Sequence, residues 1–429
     1  MHSPEHKFLL AGARRHEHAK FDVLVENGLI VAAGPSEGAG SFEAPSDAQV
    51  VQADGRLLFP SFIDAHVHLR EPGYEYKEDI QSGLTAAARG GFGAVMAMAN
   101  TDPVNDNAPV TKSMLEKARL THPHGPALYP IGALSIGLDG KELAPMGELA
   151  EAGARAISND GKPVRSNELF RRAMEYAATW NLKVIDHCED PDLASGWQMN
   201  EGKSSMELGL RGQPGVGEAI QVARDVMLAE YLNLPVHLAH ISCRQSVEVI
   251  RWAKSRGVKV TAETCPHYLL LDDTALSSYS TLFKVSPPLR GKDDLAALRE
   301  AVADGTIDIL ATDHAPHAAH EKEVEFDQAP CGYIGLETAV SLTWSLVAEG
   351  VLNARRFEEL WSAKPAEIFN LPVNGFKAGD RADFFLFDPE ESWQVNRESI
   401  RSKSLNTPWL GSELRGRVHA HWLGGTRIF

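Results

Sequence analysis

The chain has 429 residues, 43% of them hydrophobic, a formal charge of −16 and four cysteines. That length buries a large core and leaves room for one big domain plus a smaller one. The acidic balance excludes nucleic acid and anionic membrane as partners, because phosphate binding requires a surplus of Lys and Arg. Cys188, Cys243, Cys265 and Cys331 form no CxxC pair, so neither a disulfide framework nor a cysteine zinc knot is indicated. No apolar run of membrane-spanning length occurs, and the opening MHSPEHKFLL lacks the regions of a signal peptide. A soluble, cytoplasmic enzyme with reduced thiols is expected.

In chain order, residues 1–59 alternate short β-like runs with turns: FLLAGARR, FDVLVENGLIVAAG and AQVVQADGRLLFP. The small-residue stretch from Ala32 to Asp47 reads as a surface loop. Residues 60–370 change character. Eight short apolar runs (SFIDAHVH, FGAVMAMAN, PALYPIGAL, ARAISND, LKVIDHCED, PVHLAHIS, VKVTAETCPH and IDILATDHAPH) recur between helical stretches such as SNELFRRAMEYAATWN. The helical stretches space apolar residues by three and four, as a helix packed on a sheet requires. Strand and helix alternating eight times predict a (β/α)8 TIM barrel. Residues 371–429 return to β-like runs, ADFFLFDP and ELRGRVHAHWLGGTRIF, with turns at Asn374-Gly375 and Gly379-Asp380. Neither end carries enough strands to stand alone, so the two are expected to pair as one composite β-sandwich flanking the barrel.

An active site in such a barrel forms at the carboxyl ends of the strands. Run one ends in His66 and His68, run four in Asp160, run five in His187, run six in His240 and run eight in Asp313. Side chains two apart on a strand share a face, so His66 and His68 can reach one metal. A lone histidine is more often an ordinary core or surface residue, and Asp160-Gly161 alone is an ordinary turn. Five strand ends carrying ligand-type residues change that weighing. Four histidines and two carboxylates exceed one tetrahedral zinc but suit two divalent ions sharing a bridging group. Imidazole ligands favour zinc, with manganese or cobalt as alternatives.

The stretch Asp64-Ala-His66-Val-His68-Leu-Arg70-Glu71-Pro72-Gly73 resembles the opening signature of dihydroorotases in the amidohydrolase superfamily. Met98-Ala-Asn100-Thr101, Asp160-Gly161, His187-Cys188-Glu189-Asp190, His240-Ile-Ser242, Pro287-Pro288-Leu289-Arg290 and Thr312-Asp313-His314-Ala315-Pro316-His317 follow in that family's order, as do Glu321-Lys322 and Ala329-Pro330-Cys331-Gly332. The resemblance implies that His66, His68 and Asp313 hold one metal, His187 and His240 the other, and that Asp160 bridges them. Hydantoinases, dihydropyrimidinases and allantoinases use a carboxylated lysine as bridge. No lysine lies between Gly153 and Asp160, which favours the class I dihydroorotases.

The implied reaction is the reversible hydrolysis of dihydroorotate to N-carbamoyl-aspartate in pyrimidine biosynthesis. A metal-bridging hydroxide would attack the ring carbonyl while Asp313 shuttles the proton to the ring nitrogen. Arg70, Asn100 and His317 are candidates to receive the substrate carboxylate, which a guanidinium matches bidentately. Rival expectations are a salt bridge between Arg70 and Glu71, and a turn-forming role for Asn100. His314 is a candidate to support a ligand. Two positions depart from the family: Asn159 stands where a second acid is frequent, and Ser286 where an asparagine is. Ser286 is therefore expected to bind the pyrimidine ring with a shorter reach. The alternatives are a related cyclic amidohydrolase, or an inactive partner of aspartate transcarbamoylase; the latter chains typically lose metal histidines. Homo-oligomer formation and association with that partner stay open. Exposed apolar groups near Trp409 and Leu410 are expected to pack in the terminal sheet.

Overall fold

The computed structural model describes residues 7–429 apart from Glu17 and Ala44. The first six residues of the opening segment, and Ala44 of the expected loop, lie outside the described residues. The N-terminal strands are β1 (Lys7–Arg15), β2 (His18–Glu26), β3 (Leu29–Pro35), β4 (Gln49–Gln52) and β5 (Leu57–Pro60). The loop expected from Ala32 begins later. Ala32, Ala33, Gly34 and Pro35 pair with Leu24, Val23, Asp22 and Phe21, so β3 continues through them.

Eight parallel strands follow, interleaved with helices: β6 (Phe62–Val67), β7 (Phe92–Ala97), β8 (Ala127–Ala133), β9 (Ala156–Ser158), β10 (Lys183–Asp186), then, after the small pair β11 (Met199–Asn200) and β12 (Gly212–Gln213), β13 (Val236–Leu238), β14 (Val260–Thr264) and β15 (Ile309–Leu310). Each of the eight apolar runs read from the sequence supplies one of these strands. The barrel closes where Val67 bridges His314 in parallel and His68 N–H donates to the His314 carbonyl at 2.8 Å. Ile63, Ala65, Met96, Ile131, Ala156, Ile185, Ala239 and Ile309 fill the interior, and Ala366 and Phe369 pack against them. The intervening helices obey their spacing: in Asn167–Thr179, Phe170, Ala173, Met174 and Ala177 are buried, and the Ser166 hydroxyl caps the Leu169 N–H.

Strands β16 (Phe384–Gln394), β17 (Glu413–Leu423) and β18 (Thr426–Arg427) complete a sheet of order β18-β17-β16-β5-β1-β2-β3, with β4 paired to β1. Strand β16 joins the two ends of the chain, pairing Phe384 with Pro60 and Phe387 with Leu57. Its alternation shows why. Phe384 and Leu386 enter the sandwich core with Phe8 and Trp422, whereas Phe385 and Phe387 turn to the barrel side among Phe59, Phe62 and Phe357. Trp409 packs with Trp393 and Leu414 of the terminal sheet, as expected, and also meets Tyr333; Leu410, expected to pack there too, is exposed. Among the described residues no helix is long and apolar enough to cross a membrane.

Candidate metal centre and substrate pocket

The ligand-type residues converge at one mouth of the barrel because each sits at, or just beyond, the carboxyl end of its strand. His66 and His68 point together from β6. His66 Nε2 lies 3.4 Å from Asp160 Oδ1 and 3.6 Å from Asp313 Oδ1; His68 Nε2 lies 2.9 Å from Asp313 Oδ1 and 3.6 Å from Asp160 Oδ2. On the other side, His187 Nδ1 and His240 Nε2 are each 3.4 Å from Asp160 Oδ1 and 2.9 Å from one another. Two three-residue groups result, His66–His68–Asp160 and Asp160–His187–His240, and both contain Asp160.

These donors fit divalent cations. His66 Nε2 is buried without a hydrogen-bond partner, an expensive condition unless something positive meets its lone pair. Two imidazole nitrogens 2.9 Å apart likewise need a shared proton or cations between the rings and Asp160. The electrostatics agree. Burial opposes a charged His66, yet Asp160, Asp313 and Glu263 outweigh it and raise its pKa well above the usual value; His187 is raised to about 10 against the same opposition, mainly by Asp160 and Glu189. Burial also opposes ionisation of Asp160, but His66, His187 and His240 hold its carboxyl well below the usual range. A pocket that draws protons onto its imidazoles has a negative potential suited to cations.

Three site residues hold left-handed backbone: Arg70 (φ 63°), His240 (φ 33°) and Asp313 (φ 49°). Such conformations cost about 1–3 kcal/mol each and persist only where surroundings over-determine them. Around Asp313 they do. Thr312 N–H and its hydroxyl both donate to buried Asp64, and Ala315 N–H donates to the Tyr333 carbonyl at 3.0 Å.

A cavity of about 250 Å3 opens over the donors, lined by His68, Arg70, Asn100, Ser286, Asp313 and His317 among others. All four expected substrate residues therefore face one space. The Arg70 guanidinium does not pair with Glu71. Its Nε donates to the Pro316 carbonyl at 3.1 Å and its Nη2 lies 3.4 Å from His317 Nε2. Glu71 instead meets Lys117 Nζ at 3.1 Å and accepts from Ile80 N–H at 2.9 Å. Burial, reinforced by Arg70, Lys322 and Lys77, pushes His317 down to about 2, so its ring is neutral and donates to the Cys331 carbonyl at 2.8 Å. Asn100 is no mere turn former, since its Oδ1 accepts from His68 Nδ1 at 2.9 Å.

The family model described as dihydro-orotase-like matches residues 55–246. Proteins named dihydroorotase are 47% identical in Trichlorobacter lovleyi, over 410 residues covering 95% of this chain and 94% of that one, and 48% identical in Syntrophotalea carbinolica, covering 93% and 92%. The chain belongs to the dihydroorotase family. Among solved structures, the L-hydantoinase (dihydropyrimidinase) from Arthrobacter aurescens superposes with a TM-score of 0.83 at 22% identity, covering 98% of this chain and 95% of that one, and a dihydropyrimidinase from Brevibacillus agri with a TM-score of 0.78 at 22% identity over the same shares. Those likenesses speak for the fold.

In this member of the dihydroorotase family, Asn159 and Ser286 take different places, and the structure gives Asn159 a local use. Asn159 Oδ1 accepts from the backbone N–H of Ser135 at 3.1 Å, and its Nδ2 donates to Ser135 Oγ at 2.9 Å, pinning the loop before Asp160. Ser286 faces the cavity. His314 Nε2 lies 3.4 Å from Glu78, and its Nδ1 accepts from Gly335 N–H at 3.1 Å, so it braces the barrel's closing segment. Sequence reading missed Glu263 on β14. It accepts from His66 Nδ1 at 2.7 Å and meets His237 Nε2 at 3.1 Å, fixing the His66 tautomer so that Nε2 faces the donors. Its run, VKVTAETCPH, also carries Lys259, Thr261 and Thr264, so nothing in the sequence singles this carboxylate out.

Proposed function

We propose that the chain is a working dihydroorotase that interconverts dihydroorotate and N-carbamoyl-aspartate, with two divalent ions, zinc being the best match to the imidazoles. His66, His68 and Asp313 would hold one ion, His187 and His240 the other, and Asp160 both. Ions bound there would polarise the ring carbonyl and make water a better nucleophile near neutral pH. The observation that carries the substrate assignment is Arg70: among the described residues its guanidinium has no carboxylate partner, yet it faces the cavity that the donors open into.

The protein's own groups supply the remaining steps. Arg70 receives the substrate carboxylate with charge-assisted bonds. Because Asn100 Oδ1 is engaged by His68, its Nδ2 is the end left to donate to that carboxylate. Neutral His317 contributes polarity without adding charge. Asp313, 2.9 Å from His68 Nε2, takes the proton of the attacking water and delivers it to the departing ring nitrogen; in reverse it deprotonates the carbamoyl nitrogen. Ser286 offers one hydrogen bond to the ring. The barrel of residues 60–370 carries every one of these groups, with 1–59 and 371–429 as its flank.

All six ligand-type side chains are present, so we read the chain as a catalyst in the cytoplasm and not as an inert partner of aspartate transcarbamoylase. A hydantoin or allantoin ring offers Arg70 no carboxylate, which disfavours those substrates. Arg70→Met should lower kcat/KM for dihydroorotate about 100-fold, the scale of losing one or two charge-assisted bonds, with metal content unchanged. Unaltered turnover would remove the carboxylate assignment.

A further inference from the structure

Between β16 and β17 the chain leaves the sandwich and crosses to the mouth of the barrel, where residues 402–406 meet both loops that bear substrate-facing side chains. In the loop after β6, which carries Arg70, Ser402 Oγ donates to Glu78, Lys403 N–H donates to Glu78 at 3.1 Å, and Ser404 Oγ donates to the Lys77 carbonyl at 2.8 Å. In the loop after β15, which carries His317, the contact is Asn406. That side chain is buried (4% exposed) and spends its whole amide there. Its Oδ1 accepts from the His317 N–H, and its Nδ2 donates to the Ala315 and Gly332 carbonyls, all at 3.0 Å. Two carbonyls can only accept and an N–H can only donate, so the partners fix which end of the amide is oxygen. The Asn406 main chain is held as well, its carbonyl accepting from Ile334 N–H at 2.9 Å.

These bonds converge on one target. The His317 N–H and the Pro316 carbonyl belong to the same peptide group, and that carbonyl accepts Arg70 Nε at 3.1 Å. Pro316 has no N–H of its own with which to anchor the turn. Asn406 supplies the anchor instead, gripping the carbonyl before the proline and the N–H after it. A hydrogen bond accepted from one end of a peptide also polarises the carbonyl at the other. Both contacts of the Arg70 guanidinium, the Pro316 carbonyl and the His317 ring at 3.4 Å, thus belong to the dipeptide that Asn406 holds. The third bond seats this turn against its neighbour. A Cβ on Gly332 would lie 2.6 Å from Ala315 Cβ, and His317 Nε2 donates to the Cys331 carbonyl at 2.8 Å. The donors of the metal centre are fixed independently, since Thr312 beside Asp313 is tied to Asp64.

The geometry points to Asn406 as a positioning residue for substrate recognition, acting through the Pro316–His317 peptide to aim Arg70 at the substrate carboxylate. The inference rests on the dihydroorotase reading given above. Its test is the kinetics of Asn406→Asp on dihydroorotate, alone and combined with Arg70→Met, at equal metal content. The aspartate keeps the volume, removes both N–H donors and sets a carboxylate oxygen against two carbonyls. Asn406→Ser repeats the test with a smaller polar group should the aspartate prevent folding. In the wild-type background KM should rise about tenfold, while kcat changes by less than about threefold, the mark of lost uniform binding. In the Arg70→Met background the same substitution should lower kcat/KM by less than about twofold, because the group it aims is gone; a merely structural role would cost the same factor in both. Equal factors in the two backgrounds, a fall in kcat with KM unmoved, or unaltered kinetics would each overturn the inference and leave the dihydroorotase reading standing. Wild-type protein that does not turn over dihydroorotate would remove that reading and this inference with it.

Discussion

At the scale of single residues, the centre depends on groups that never touch substrate. Glu263 is the clearest of them. Burial opposes its ionisation, but His237 and His66 outweigh that cost and hold its carboxyl well below the usual range. Ionised, it fixes the Nδ1–H of His66 and leaves Nε2 aimed at Asp160. Glu263→Gln keeps the volume and removes the charge, so metal affinity should fall about 10–100-fold, read by titration with a competing chelator; an unchanged affinity would show that His66 holds its orientation without it. The six ligand-type residues were legible in the sequence because barrel geometry forces every strand's carboxyl end to one rim, so a biased residue type at those ends is visible without coordinates. Glu263 and His237 were not. Their partners lie on other strands, and a carboxylate in a strand that also carries threonines has no mark of which imidazole it will meet. The engagement of Glu71 with Lys117, which leaves Arg70 without a carboxylate, was equally a matter of tertiary placement.

At the scale of elements, β16 and β17 bind the sandwich to the barrel. Phe385 meets Phe62 edge-on at 4.8 Å and Phe59 at 5.6 Å. Phe385→Ala should therefore destabilise the fold by about 3–5 kcal/mol, measured as a shift in the urea midpoint at constant m; a shift under about 1 kcal/mol, the scale of a volume-conserving core swap, would mean that the two parts are not joined by this cluster. His421 on β17 makes a second tie, donating from Nδ1 to the Ala88 carbonyl at 2.8 Å and meeting Ser61 Oγ at 2.7 Å through Nε2. Burial pushes its pKa down to about 4, whereas the unfolded chain takes up that proton near 6.5. Stability from this group is thus complete above pH 6.5 and is lost as pH falls toward about 4, by at most about 1.4 kcal/mol per pH unit. His421→Gln, which keeps hydrogen-bonding capacity without titrating, should lose less stability than wild type between pH 7 and 5 in urea melts. Equal losses would contradict the assignment. The pairing of the chain's two ends was foreseeable from their shortage of strands, but the register of β16 on β5 was not, since four consecutive residues of Phe384–Phe387 are apolar and either face could have turned inward.

At the scale of the whole molecule, the barrel collects donors from five strands that are far apart in sequence, and the C-terminal part of the chain reaches its mouth, where Asn406 accepts from the His317 N–H and donates to the Ala315 and Gly332 carbonyls, all at 3.0 Å. Shared fold and metal chemistry do not fix a substrate; solved structures similar to this chain in shape are hydantoinases and dihydropyrimidinases, while relatives similar in sequence are named dihydroorotase. On our proposal the group that separates these activities is the Arg70 guanidinium, which has no carboxylate partner among the described residues. The decisive measurement is turnover of L-dihydroorotate by purified protein of known metal content, with dihydrouracil, hydantoin and allantoin in parallel. Selective hydrolysis of dihydroorotate with about two ions per chain is the predicted result. Preference for a ring without a carboxylate, or no turnover from protein carrying its metals, would contradict the account.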